Sequence, residues 1–175
     1  LIDRLDNLSD LDLLRTRAVV AAELKRRGLA SNVGQAAEVL AIAYYNGTPG
    51  RPNLQPAPVG TQNVDALSRK GDRYSIKGIL GGRKTGTVYP DRNDREKQLF
   101  EYLLVVQIDE DWQLLSIHEF DWRTFCEVRS WDSRMNAWYI GLAAKTLAKA
   151  TAFLTGERSN ESPPSKPRRK KSVEI

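Results

Sequence analysis

Ten residues, Leu99-Phe-Glu-Tyr-Leu-Leu-Val-Val-Gln-Ile108, constrain this chain more than any others. The run is almost continuously apolar and lacks the strict alternation of a half-exposed strand. It reads as a central strand covered on both faces. A strand of that kind needs neighbouring strands on both flanks and further elements above and below it. The rest of the chain supplies candidates for each.

Two helices precede it. Ser9-Asp-Leu-Asp12 has the spacing of a capping box. Leu11, Leu14, Ala18, Ala21, Ala22 and Leu24 form an apolar stripe, and Lys25, Arg26 and Arg27 lead to Gly28, so a helix is expected over residues 10–27. Asn32 with Gln35 suggests a second cap, and the helix it opens runs from Val33 to Tyr45, stopped by Asn46-Gly47 and Pro49-Gly50. Residues 46–62 read as a Pro- and Gly-rich loop, of a length that is usually functional or disordered. Asn63–Leu67 and Arg73–Lys77 read as a hairpin turning at Arg69-Lys-Gly-Asp72. After the central run, Asp109-Glu-Asp111 turns the chain into a neighbouring strand, Trp112–Ile117. A short helix is expected over 121–128, a brief strand over 138–140 and a last helix over 142–154. The order predicts an α/β or α+β sandwich, a mixed sheet flanked by helices, over residues 1–156.

Composition excludes several classes. No run of 18 apolar residues could form a membrane helix, and the first residues are too charged for a signal peptide. The lone Cys126 excludes an intrachain disulfide and a cysteine-rich zinc site, which is consistent with a cytosolic setting. The net charge is +5. From Glu157 onward six basic residues stand against three acids, so the body carries only about +2 of that charge. Residues 157–175, with Pro163, Pro164 and Pro167, cannot bury an apolar face and are expected to be a disordered tail. Arg168, Arg169, Lys170 and Lys171 in it form either a basic arm for phosphates or a solvated terminus.

Within the hairpin, Tyr74, Ile76 and Gly78 share one face, and Ser75 and Lys77 share the other. If the hairpin axis falls on Lys70 or Gly71, Asp65 lies opposite Ser75 or Lys77, with Cβ atoms about 5 Å apart. A carboxylate and an ammonium then meet. Glu38 sits mid-helix with Gly34, Ala41, Ile42 and Tyr45 as helical neighbours. It is either on an exposed edge or a buried acid needing a partner. Each residue also has an ordinary structural reading: Asp65 as a strand end, Lys77 as an edge-strand charge.

Glu in a helix, Asp on a strand and x-x-Lys on the next strand together resemble the PD-(D/E)XK nuclease superfamily, whose fold is shared by restriction endonucleases. The matching segments are Gly34-Gln-Ala-Ala-Glu38, Val64-Asp65-Ala66 and Tyr74-Ser75-Ile76-Lys77, and the likeness covers residues 10–150. The resemblance implies a restriction-endonuclease-like mixed sheet and Mg²⁺- (or Mn²⁺-) dependent DNA cleavage, with a possible homodimer. It implies that Glu38, Asp65 and the backbone carbonyl of Ile76 hold the metal, and that Lys77 holds the attacking water. The likeness departs at Ser75, where the motif carries an acid. A hydroxyl is neutral and binds Mg²⁺ poorly, so either Glu38 supplies the missing charge or the site binds DNA without cutting it.

The Gly81-Gly-Arg-Lys-Thr-Gly-Thr87 segment lacks the spacing of a phosphate-binding loop. It reads as a flexible connection that brings Arg83 and Lys84 near a nucleic-acid substrate. His118 reads as an ordinary strand-end residue, and no serine stands in a nucleophile-elbow motif. Trp122, Trp131 and Trp138 read as core or as base-stacking surfaces, with Arg129 and Arg134 near them.

Overall fold

The apolar run becomes the centre of a six-stranded mixed sheet. The structure, a computed structural model, describes residues 5–29 and 32–154. Along the chain come α1 (Asp10–Arg26), α2 (Val33–Gly47), β1 (Leu54–Pro56), β2 (Ala66–Ser68), β3 (Arg73–Leu80), β4 (Tyr102–Ile108), β5 (Leu114–Asp121), α3 (Trp122–Val128), β6 (Arg129–Asp132), β7 (Ala137–Ile140), α4 (Ala144–Leu147) and β8 (Thr151–Leu154). The large sheet has the order β1-β2-β3-β4-β5-β8, and β6 pairs with β7 in a separate ribbon. Only β3 and β4 run parallel; the other neighbours are antiparallel.

β4 is covered on both faces, as its composition requires. Leu104 and Val106 face one core with Ala37, Ala41 and Tyr45 of α2. Leu103 and Val105 face the other with Phe100, Phe120, Phe125 and Ile140. All four β4 side chains are fully buried. α2 crosses β3 at Gly78, where a Cβ would stand 2.6 Å from the Val33 carbonyl oxygen and 2.7 Å from the Ala37 Cβ. Only glycine permits that approach.

Three expectations need correcting. The helix over 142–154 shrinks to the single turn of α4, after which Thr151–Leu154 pairs antiparallel with β5 as β8. The alanine-rich period is helical, but the open edge of β5 has backbone groups to satisfy, and pairing with a segment that buries Phe153 satisfies them. The 46–62 loop contains β1, and the brief strand at 138–140 belongs to a two-stranded ribbon whose other half is Arg129–Asp132. Finally, α1 forms where its caps place it. The Ser9 hydroxyl accepts the Asp12 N–H, and Glu23 pairs with Arg26 and Arg27. It buries no residue, however, and Leu11, Leu14 and Leu24 of the expected buried stripe are exposed. Its cap and ion pairs are local, and among the described residues packing buries none of its side chains. The expected tail from 157 onward, with Arg168 to Lys171, lies outside the described residues.

Candidate functional site

The β2–β3 turn sets the register on which the site depends. Gly71 adopts φ +90°, a conformation side chains disfavour. The Ser68 hydroxyl accepts the N–H groups of Lys70 and Asp72 and donates to the Asp72 carboxylate. Ala66 pairs with Tyr74 and Leu67 with Arg73, so the register carries Asp65 opposite Ser75.

Asp65 lies one residue before β2 begins. Its backbone N–H donates to the Tyr74 carbonyl, and its carboxylate takes the place of a strand partner: Oδ2 accepts the Ile76 N–H at 2.6 Å and the Ser75 hydroxyl at 3.3 Å. Ser75 is fully buried, so its hydroxyl orients the carboxylate and is sealed from solvent. Asp65 Oδ1 accepts no hydrogen bond from the described residues. The direction of the Ile76 carbonyl follows from the strand. Arg73 presents its carbonyl to Glu101, on the β4 side, and Tyr74 presents its carbonyl to Asp65, on the β2 side. Successive residues alternate, so Ile76 turns both N–H and C=O towards β2. At that level no described strand covers the flank of β3.

Glu38 and Lys77 belong to the same neighbourhood. Both are half-buried. Burial holds the Glu38 carboxyl above its ordinary range; the negative charge of Asp65 raises it further and the Lys77 ammonium pulls it back. Among the described residues, neither Glu38 nor Lys77 has an ion-pair partner within 4.0 Å. Asp65 and the outward Ile76 carbonyl, just before β2 begins, thus share a neighbourhood with Lys77 and with Glu38, whose neighbour Ala37 packs on Gly78 beside Lys77. Among the described residues no group of three or more His, Cys, Asp or Glu could hold a metal. Mg²⁺ does not need one, since it is commonly held by one or two carboxylates and completed by water and substrate phosphate. The donor set, hard oxygens only, fits such an ion.

The 81–87 segment passes this site without being loose. A Cβ on Gly86 would lie 4.0 Å from the Lys77 Cδ. Thr85 is buried, donates its N–H to the Ile140 carbonyl, and accepts the Ile140 N–H on its hydroxyl. Lys84 pairs with Asp132 at 3.2 Å and lies 4.8 Å over the Tyr139 ring, which ties it to the ribbon. Arg83 is exposed, and among the described residues it has no ion-pair partner. His118 sits mid-strand in β5 rather than at a strand end, and burial lowers its pKa, keeping it neutral.

Sequence reasoning missed one acid. The Glu119 carboxylate accepts the Tyr45 hydroxyl, and Arg51 approaches it at 3.9 Å while stacking 3.6 Å over the Phe153 ring. The signal available was Tyr45 itself, one period of seven residues after Glu38 on the same helical face.

No known family profile matches this chain, and no curated protein is significantly similar to it. No helix among the described residues is long and apolar enough to cross a membrane.

Proposed function

We propose that this chain is a divalent-metal-dependent DNA endonuclease of the PD-(D/E)XK type. The observation that carries the reading is geometric: the Asp65 carboxylate accepts the Ile76 N–H, and α2 packs through Ala37 onto Gly78, which sets Glu38 and Lys77, their immediate neighbours in each segment, in the same neighbourhood. Asp65, through its free Oδ1, Glu38 and the Ile76 carbonyl oxygen would hold Mg²⁺ or Mn²⁺. Bound there, the ion would supply Lewis-acid polarisation of the phosphate and a lowered pKa for its water. Ser75 and the Ile76 N–H keep the Asp65 carboxylate aimed, so the site costs little reorganisation. Lys77 Nζ orients the attacking water and stabilises the charge that grows on the phosphate oxygens. The Gly86 segment runs close to the Lys77 alkyl stem: a Cβ on Gly86 would stand 4.0 Å from its Cδ.

The experiment is cleavage of plasmid and linear DNA with Mg²⁺ or Mn²⁺. Asp65→Asn and Lys77→Ala are each expected to lower the rate by roughly 10²–10³-fold or more. Ser75→Ala should lower it less, because it loosens an orientation and removes no ligand. One observation favours a second reading, a DNA-binding module without catalysis: a sealed hydroxyl stands at Ser75, where the motif has an acid. Salt-sensitive DNA binding that survives Asp65→Asn, with no cleavage under either metal, would select it.

A further inference from the structure

A cleft of about 450 Å³ opens between the β6–β7 ribbon and the chain around residue 90. Tyr89, Arg92, Arg95, Trp131, Gln62 and Asn136 line it. Its chemistry is specific. Arg95 lies 4.8 Å over the Trp131 ring, and Trp131 is braced edge-on against Trp138 at 4.6 Å. Tyr89 is 42% exposed, large for an aromatic ring. Among the described residues, Arg92, Arg95 and the nearby Arg134 have no carboxylate within 4.0 Å. The one acid on the wall, Asp91, is engaged: Lys97 pairs with it at 2.9 Å and it accepts the N–H groups of Asn93 and Asp94. The cleft therefore offers the exposed Tyr89 ring, a guanidinium plane backed by Trp131, the unneutralised Arg92 and two side-chain amides.

The cleft extends towards the segment that leads into Asp65. A second depression of about 260 Å³ shares Gln62 and Asp91 with it and reaches Asn63, Val64 and Arg73. The Asn63 amide donates to the Tyr89 carbonyl at 2.8 Å, which fixes the cleft wall two residues ahead of Asp65.

We infer that this cleft binds unpaired nucleotides, a single-stranded stretch whose bases stack on Tyr89 and on the Arg95 guanidinium that lies over Trp131, and whose phosphates meet Arg92. Bases within a duplex are stacked on one another and offer no face to a side chain, whereas unpaired bases do. The amides of Gln62 and Asn136 present donors and acceptors to a base edge. The inference deepens the nuclease reading by naming its substrate as DNA with a single-stranded portion beside the cut. The direction, from Trp131 towards Asp65, rests on that reading; the binding itself does not.

The test uses the full chain in EDTA, so that no cleavage intervenes, and follows tryptophan fluorescence as short oligo(dT), oligo(rU), a duplex of equal length and poly-glutamate are added. Oligo(dT) should quench the emission and bind at least tenfold more tightly than duplex. Tyr89→Ala and Arg92→Ala, both at exposed positions, should each weaken it about tenfold, the scale of one base–aromatic stack, with melting curves unchanged. Binding of oligo(rU) equal to oligo(dT) supports a site that reads the unpaired base and ignores the sugar. Equal affinity for duplex, equal affinity for poly-glutamate, or indifference to both substitutions overturns the inference. Metal-dependent cleavage in a parallel assay separates the two ideas: duplex cleavage without oligo(dT) binding sinks this one alone, and oligo(dT) binding without cleavage sinks the other.

Discussion

Two acids meet the same helix and have opposite fates. Glu38 and Tyr45 stand two turns apart on α2, about 10 Å along its axis. At the Tyr45 end, the acid is Glu119, and everything around it is satisfied. The phenol donates to it, Arg51 stands beside it, and Phe153 seats the guanidinium. Burial and the Glu119 charge push the Tyr45 hydroxyl far above its ordinary pKa, so it stays a donor at every ordinary pH. At the other end, Glu38 faces a second carboxylate and a lysine, and nothing described here bonds to it. A protein gains nothing in stability from such an arrangement. The contrast sets an acid neutralised within the fold against one that, on the proposed nuclease reading, is left for a metal ion to neutralise.

Several measurements can break or sharpen that contrast. The largest effect is expected where both acids depend on one contact. Gly78→Val drives a side chain into the Val33 carbonyl and Ala37, displacing α2. It should cost about 3 kcal/mol by urea unfolding and abolish any metal-dependent activity. Glu119→Ala comes next. It strips the Tyr45 hydroxyl and Arg51 of their acceptor and should cost about 2 kcal/mol, with residual cleavage in the fraction that remains folded. If it costs nothing, the supposed structural acid is not structural.

Glu38→Gln should act in the other direction and by less. The folded-state pKa of Glu38 is raised, so its favourable contribution is complete below the unfolded value of 4.5 and is lost as pH rises through the folded value. At pH 7 the wild-type chain therefore carries a penalty that glutamine lacks. The variant should be more stable there, by less than about 1 kcal/mol because a half-exposed group is screened by solvent. The advantage should shrink on acidification towards the ordinary carboxylate range. Adding Mg²⁺ should raise the melting temperature of wild type and not that of the variant. A destabilised Glu38→Gln at neutral pH would show that the acid is an ordinary structural residue.

The residues differ in how openly the sequence announced them. The hairpin that carries Asp65 and Lys77 was legible from the turn at Gly71 and its short apolar strands, but its register was not: the sequence allowed Asp65 opposite Ser75 or Lys77, and the structure places it opposite Ser75. Glu38 was legible only as a misfit among small apolar residues. Ser75 was visible as a departure from a motif, but its burial and its grip on Asp65 were not. The helix expected over 142–154 failed for the complementary reason: Ala143, Leu147 and Ala150 obey a helical period, yet an open strand edge competed for Thr151–Leu154 and won. The helix expected over 10–27 formed as α1, but its buried stripe did not: it has the caps and the period of a packed helix, and nothing in its own sequence says that none of its residues is buried among the described ones.

Local signals in the chain alone thus specify the central strand, the caps of α1 and α2 and the hairpin, because each depends on residues within a few positions of one another. Three matters waited for the tertiary structure: that Glu38 comes within electrostatic reach of Asp65 and Lys77, that Glu119 is claimed by Tyr45 and Arg51, and that Tyr89 and Trp131 open on one cleft. Each joins segments far apart in sequence, and such contacts are settled by which surfaces the whole chain buries together. No local periodicity records that choice.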